Sequence, residues 1–212
     1  MNPELVPGAY LVGVQLLGKD LTGVDLRGAN LTDAILSGCT LSNANFSGAN
    51  LTEASLRGAN LTEAIFDGAN LSGASLANVT GTKASFSDAN LSGCLMVESN
   101  FSFAVFRSAT LRGGSLSNTE CWGADFQKSD LSGAKFYHAQ LGAANFSDAD
   151  CGGAAFIDAN LPGALFCGTD LARVNFSGAD ITGANFTGCK RVESANFSHT
   201  AIEGVIGIIF NN

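Results

Sequence analysis

The chain offers few residues with which to build a catalytic centre. Its two histidines, His138 and His199, belong to no recognisable Ser-His-Asp or Cys-His pattern, and no phosphate-binding glycine loop is present. None of the six cysteines forms a Cys-x-x-Cys pair of the kind that holds zinc. The sequence therefore predicts a protein that is not an enzyme, with no catalytic, cofactor-binding or metal-binding residues and no cofactor.

The cysteines are better explained as packing residues. Four of them occupy positions that the repeat described below turns inward, where a thiol behaves as a small hydrophobe: Cys39, Cys94, Cys121 and Cys151. Cys167 and Cys189 are the pair best placed for a disulfide or a metal. Whether they pair is left open.

Carboxylates form the first candidate binding surface. Asp130, Asp150 and Asp170 are spaced twenty residues apart. The same column upstream holds asparagines whose amides could bond along a stack, namely Asn30, Asn50, Asn70 and Asn90. Two interpretations remain: solubilising charge in which Asp replaces Asn, or an acidic stripe that attracts a basic partner.

Apolar side chains outside the repeat's inward positions form two further candidates. Phe103 and Trp122 share one face of the predicted fold. A second group on another face comprises Leu95, Val97, Tyr137 and Ile157. Isolated exposed apolar residues are common, whereas clusters that contain Trp and Tyr are typical of binding hot spots. Chance exposure and a partner site are both open.

A five-residue repeat must position all these side chains. Every fifth residue from Leu11 to Phe186 is large and apolar at 33 of 36 positions, and the residue two before it is Ala at 24 of 36. A period of five fits neither a helix nor a regular strand, so both columns must point inward in a chain that turns every five residues. Lys19 is the charged exception in the Ala column, and we expect it where the first coil is open.

Phenylalanines set the length of one coil. Leu26 is followed at intervals of twenty by Phe46 and then by Phe at every further step to Phe186, which predicts that these rings stack. Four sides of five residues then make one coil. In another column Gly81 and Cys121 flank Phe101 twenty residues away on either side, so we expect small neighbours to make room for its ring.

The repeat resembles that of the pentapeptide repeat proteins, whose pattern is A(D/N)LXX, and it is closest to cyanobacterial members without loop insertions. Ala49-Asn50-Leu51-Thr52-Glu53 is one matching unit. The resemblance implies an all-β fold, a right-handed quadrilateral parallel β-helix (β-solenoid) of about nine coils of four pentapeptides. We expect an N-terminal cap at 1–10, the solenoid at 11–188, and a register shift with a C-terminal cap or dimerisation segment at 189–212.

The C-terminal segment is strongly apolar. Eleven residues separate Phe186 from Phe197 instead of ten, so Lys190 or Arg191 is an insertion. The tail either closes the last coil or forms a homodimer interface, as the resemblance to gyrase-protecting members implies. The candidate interface residues are Val205, Ile206, Ile208, Ile209 and Phe210.

Charge and hydropathy restrict the function. A formal net charge of −8 argues against direct nucleic-acid binding. No apolar stretch is long enough to span a membrane and no secretory signal is visible, so we expect a cytoplasmic protein without membrane contact. The leading hypothesis is a non-enzymatic protein-interaction or scaffold rod with an unidentified protein partner. The alternative is a DNA mimic that binds DNA gyrase or topoisomerase and protects it from quinolones or toxins, as the resemblance implies for some members.

Overall fold

Parallel bridges between residues twenty apart organise the whole chain. The computed structural model describes residues 4–208. Every fifth residue from Tyr10 to Asp170 forms a bridge with the residue twenty positions later, beginning with Tyr10 to Asn30 and ending with Asp170 to Lys190. These bridges are isolated, and the one helix within residues 4–208 is a short 3-10 helix at Val192–Ser194. The predicted coil length of twenty residues is confirmed.

A tight turn closes each five-residue side. In one example the Ala49 N–H donates to the Phe46 carbonyl oxygen at 2.9 Å, and Gly48 between them has a φ of 65°. A positive φ at the third residue of the turn is the requirement of a type II turn, which glycine meets without strain. This geometry explains why Gly recurs immediately before the Ala column.

Asparagine side chains stabilise the turns and link neighbouring coils. The Asn50 Oδ1 accepts hydrogen bonds from the Thr52 N–H and the Thr52 hydroxyl, at 3.1 and 2.6 Å. Its Nδ2 donates to the Thr32 hydroxyl of the preceding coil at 3.0 Å. The expectation that amides in this column bond to one another is therefore wrong at Asn50. The short Asn side chain is satisfied by its own turn and by the threonine beside it.

The core consists of the two predicted inward columns. Every residue of the Leu/Phe column from Leu26 to Phe186 is buried. The rings from Phe46 to Phe186 stack with centroids 4.8–5.0 Å apart and interplanar angles of 3–7°. This spacing matches the separation of hydrogen-bonded strands, so backbone pairing and ring stacking share one repeat distance. Lys19 is exposed, as predicted for an open first coil.

Phe101 fills space that Gly81 leaves empty. A Cβ built on Gly81 would lie 2.6 Å from both the Cδ1 and the Cε1 of the Phe101 ring. The ring also makes edge contacts with Phe86 and Phe106, at centroid distances of 6.0 and 5.8 Å. The predicted compensation between a small and a large neighbour is confirmed.

A one-residue insertion shifts the register near the C-terminus. The Asp170 to Lys190 bridge spans twenty residues, whereas the Asn175 to Asn196 bridge spans twenty-one. Arg191 takes a left-handed conformation with a φ of 54° and leads into the 3-10 helix. The shift was predicted at this place. Pairing then continues in the new register, and the Ile206 N–H donates to the Ala184 carbonyl oxygen at 3.0 Å.

Enlarging Gly81 should destabilise the protein. We expect Gly81→Leu to lower the free energy of unfolding by about 1–3 kcal/mol, because the new side chain overlaps the Phe101 ring in a closed core. Urea titration of the variant and the parent measures the difference.

A second substitution provides the control. In a Gly81→Leu background, Phe101→Ala removes the ring and should restore part of the lost stability, so the two changes should be non-additive. An unchanged or raised melting temperature for Gly81→Leu alone would contradict this packing.

Candidate partner-binding surfaces

The three predicted carboxylates lie on successive coils. Parallel bridges join Asp130 to Asp150 and Asp150 to Asp170. In each case the Oδ1 accepts the N–H of the residue two positions later, at 3.1, 2.9 and 3.1 Å. Aspartate therefore performs the turn-capping role that asparagine performs upstream, and the column is a stack of side chains as predicted.

Arginines neutralise much of this column. The Arg112 Nε lies 2.5 Å from the Asp130 Oδ2, and the Arg191 Nε donates to the Asp170 Oδ1 at 2.7 Å. Within residues 4–208, Asp150 is the one member of the column without an ion pair, and it is the exposed one. The acidic stripe is consequently much weaker than a count of carboxylates indicates.

The sequence analysis missed the ion pairs that arginines form with aspartates on the neighbouring coil. Arg112 precedes Asp130 by eighteen residues, and Arg107 precedes its partner Asp125 by the same interval, with an Nε to Oδ2 distance of 2.5 Å. A spacing of eighteen joins the fourth residue of one unit to the second residue of a unit on the next coil. The signal was present, but it becomes visible only once the coil length is known.

Phe103 and Trp122 are two exposed aromatic residues on neighbouring coils, here called the aromatic patch. Their exposed fractions are 59% and 44%, and the Phe103 N–H donates to the Trp122 carbonyl oxygen at 2.8 Å. A Cβ on Gly123 would lie 2.9 Å from two carbons of the Phe103 ring, and a Cβ on Gly142 would collide with the Trp122 indole. Both rings therefore pack against glycines of the next coil. The structure places the two predicted residues on neighbouring coils.

Phe103 holds an unfavourable backbone conformation. Its φ is 60°, and it is the one aromatic residue among the left-handed non-glycine residues of the described chain. A left-handed conformation costs a non-glycine residue about 1–2 kcal/mol. Other turns of the solenoid place glycine or a polar residue at the equivalent position, such as Gly123 with a φ of 60° and Glu53 with a φ of 58°. The exposed aromatic side chain, and not the backbone conformation, therefore distinguishes position 103.

The second predicted group is less compact. Tyr137 and Ile157 occupy successive coils, joined by a 3.0 Å hydrogen bond from the His138 N–H to the Ile157 carbonyl oxygen. Ser117 lies on the coil between Val97 and Tyr137, and Leu95 is 53% exposed beside Val97. Tyr137, Ile157 and Val97 are half-buried. The structure thus separates the group into two pairs.

The C-terminal candidates are only partly described. Val205 and Ile208 are half-buried against the core, and Ile206 is 56% exposed. Ile209 and Phe210 lie outside the described residues. The sequence analysis did not single out Ile202, which occupies the inward Leu/Phe column of the shifted register and is 37% exposed.

Titratable residues do not converge anywhere in the described chain. Within residues 4–208 no group of three or more His, Cys, Asp and Glu side chains could hold a metal ion. The His138 Nδ1 lies 4.0 Å from the Asp158 Oδ2, and both side chains are exposed. Within residues 4–208, no helix is long and apolar enough to cross a membrane.

The cysteines are free thiols held in the interior. Burial raises the pKa of Cys94 and of Cys121 to about 12, and it raises the pKa of Cys151 well above the ordinary thiol value. Cys167 and Cys189 are half-buried free thiols, and the Cys189 Sγ donates to the Phe166 carbonyl oxygen at 2.9 Å. Thiols kept protonated in this way are poor nucleophiles.

Comparison with known proteins identifies the repeat. The family described as pentapeptide repeats matches the chain in 8 copies, over residues 8–43, 44–80, 84–120, 115–148 and 149–188. No curated protein sequence gives a significant match.

Several solved structures are similar to this chain. QnrB1, a plasmid-mediated fluoroquinolone resistance protein, is 18% identical with a TM-score of 0.53, covering 89% of this chain and 91% of its own. HetL, a pentapeptide repeat protein involved in heterocyst differentiation regulation in the cyanobacterium Nostoc sp. strain PCC 7120, is 25% identical with a TM-score of 0.35, covering 91% and 87%. A pentapeptide repeat protein from the Arabidopsis thaliana thylakoid lumen is 28% identical with a TM-score of 0.23, covering 57% and 66%. At these identities and scores, QnrB1 supports the fold alone.

Buried thiols should make the protein sensitive to alkali. The thiols of Cys94 and Cys121 have the ordinary pKa of 9.0 in the unfolded chain, and burial raises this pKa to about 12 in the folded protein. Between these values the unfolded state binds fewer protons, so the free energy of unfolding should fall as pH rises, by roughly 1 kcal/mol per pH unit for each thiol.

A variant with Cys94→Ala and Cys121→Ala isolates this effect. Its stability at pH 7 gives the packing cost of the substitutions, and its fall between pH 9 and pH 11 should be shallower than that of the parent. Parallel stability curves for the two proteins would show that these thiols are not responsible.

Proposed function

This chain belongs to the pentapeptide repeat family, and on that premise we propose that it is a non-enzymatic rod that binds another protein. The proposal includes the finer geometry of a right-handed quadrilateral β-helix of about nine coils. It also includes a C-terminal segment at 189–212 and a cytoplasmic location. The predicted cap at 1–10 and solenoid start at 11 are not retained, because Tyr10 already bridges Asn30 and residues 6–10 belong to the first coil. In support, bridges recur at every fifth residue and link residues twenty apart up to Lys190.

The aromatic patch is the observation that carries the binding proposal. Phe103 is 59% exposed at a turn position that glycine or a polar residue occupies in most other units, so the turn itself does not require an aromatic residue there. Trp122 beside it adds a second ring that packs against a glycine. Large, flat, preordered aromatic side chains give contact area at low cost in entropy, which suits a binding hot spot.

Removing the aromatic patch should abolish partner capture without unfolding the rod. We expect a variant with Phe103→Gly and Trp122→Ser to retain its melting temperature within a few degrees, because glycine relieves the strain at position 103. Its affinity for a protein captured by the immobilised parent from source lysate should fall at least about tenfold, or roughly 1.4 kcal/mol.

The chain supplies a matched control for charge. A variant with Asp130→Asn, Asp150→Asn and Asp170→Asn removes three charges and keeps the turn-capping oxygen that Asn50 uses upstream. This variant should capture the same partner as the parent. Loss of the partner in the charge variant, with capture retained in the aromatic variant, would contradict the proposal.

DNA mimicry is the second candidate function. The net charge of −8 favours it, and QnrB1, which shares the fold, is a fluoroquinolone resistance protein. A dimer through Val205, Ile206 and Ile208 would belong to this candidate. The ion pairs of Arg112 and Arg191 weigh against it, because they neutralise Asp130 and Asp170. We therefore rank it below the protein-binding rod.

A gyrase assay separates the two candidates. We expect DNA gyrase to supercoil plasmid normally across a micromolar titration of this protein, with and without a fluoroquinolone, because arginines pair with two of the three carboxylates in the acidic column. Inhibition or protection that the Asp-to-Asn variant loses would place DNA mimicry first. Activity that this variant retains would point instead to a contact outside the acidic column.

A further inference from the structure

The first coil, residues 6–25, is paired along one edge only. Asn30 forms bridges with both Tyr10 and Asn50, whereas Tyr10 bridges Asn30 alone. The same holds for Gln15 and Asp20, each of which forms a single bridge, to Ile35 and Thr40. Within residues 4–208 nothing pairs with the other edge of this coil, which we call the N-terminal edge.

Three residues of the N-terminal edge, Tyr10, Gln15 and Asp20, each present a backbone donor and acceptor that no backbone group within residues 4–208 satisfies. Inside the rod, the Asn30 N–H donates to Ala9 at 2.9 Å, and the Asn30 carbonyl oxygen accepts from Leu11 at 2.7 Å. Within residues 4–208 no backbone hydrogen bond reaches the N–H or the carbonyl oxygen of Tyr10, Gln15 or Asp20. Open edges of this kind pair with another chain unless something covers them.

Apolar side chains surround these free groups. The first coil carries four of the eleven exposed large hydrophobic residues of the described chain, although it is one coil among many. The exposed fractions are 80% for Tyr10, 68% for Leu17, 46% for Val6 and 40% for Val12. On the next coil, Thr32 and Ser37 occupy the positions equivalent to Val12 and Leu17. Polar residues are thus compatible with the turn, and the apolar ones point to an interface.

We propose that the N-terminal edge binds the N-terminal edge of a second copy of this chain. In an antiparallel pair, residues that face one another exchange both of their backbone hydrogen bonds, so an edge whose residues each offer one donor and one acceptor satisfies an identical edge. A two-fold arrangement brings Tyr10 and Leu17 of both copies into the interface and closes after two chains. This dimer is distinct from the C-terminal dimer considered above.

Charges at this end give the interface a characteristic salt dependence. Glu4 and Asp20 outweigh Lys19, while Asp25 is paired with Arg27 at 2.7 Å. Two identical ends therefore repel weakly, and salt screens this repulsion. Raising the salt concentration from about 0.05 to about 0.5 M shortens the Debye length. Association that strengthens over this range indicates an interface held by apolar contacts and backbone pairing.

Sedimentation equilibrium of the full chain tests the proposal. We expect the parent to reach twice its chain mass of 21.7 kDa and to go no further as concentration rises. Leu17→Lys should weaken dimerisation at least tenfold. Gln15→Pro should do the same by a different route, because it removes an edge N–H that bonds to nothing in the described chain. Circular dichroism and melting confirm that both variants fold.

Two variants elsewhere serve as controls. Phe103→Lys adds the same charge at an exposed apolar residue in the middle of the rod and should leave the dimer unchanged. Ile206→Lys changes the opposite end and should also leave it unchanged. A parent that is monomeric at all concentrations would overturn the proposal. So would a dimer lost only in Ile206→Lys, or a series of larger species sensitive to both ends, which would indicate head-to-tail stacking.

Discussion

Backbone hydrogen bonds between coils are the constraint on which this structure depends. They hold residues twenty apart at one strand spacing, and the Phe46 to Phe186 rings follow at 4.8–5.0 Å. A side chain can then belong to the core only if its neighbours twenty residues away leave it room. Gly81 below Phe101 is the clearest instance, because the Phe101 ring occupies the space in which a side chain at position 81 would lie.

The same lattice decides which surface groups meet. Positions eighteen or twenty apart are neighbours, so Arg112 reaches Asp130 and Asn50 reaches Thr32. Exposed ion pairs such as that of Arg112 with Asp130 contribute little to stability. Their larger effect is on the electrostatic field around the rod, because they neutralise negative charge in the column of Asp130, Asp150 and Asp170. Net charge alone is therefore a poor guide to what this surface attracts.

The sequence predicted the features that depend on periodicity. The inward columns, the coil of twenty, the room left for Phe101 and the shift near Lys190 all follow from counting residues, because a strict repeat converts spacing directly into contact. The arginine pairs did not follow. They depend on how far a long side chain reaches across to the next coil, which becomes apparent only once the coil length is known.

A regular solenoid can distinguish partners only where its pattern is broken. Every coil presents the same backbone, so the selective features must be departures from the consensus unit. The departures here are of two physical kinds. In the middle of the rod, Phe103 and Trp122 add side-chain surface to coils that are bridged on both edges. At the first coil, one backbone edge beside Tyr10 and Leu17 has no partner within residues 4–208. The first kind suits a partner that reads side chains, whereas the second requires a partner that supplies an edge of its own.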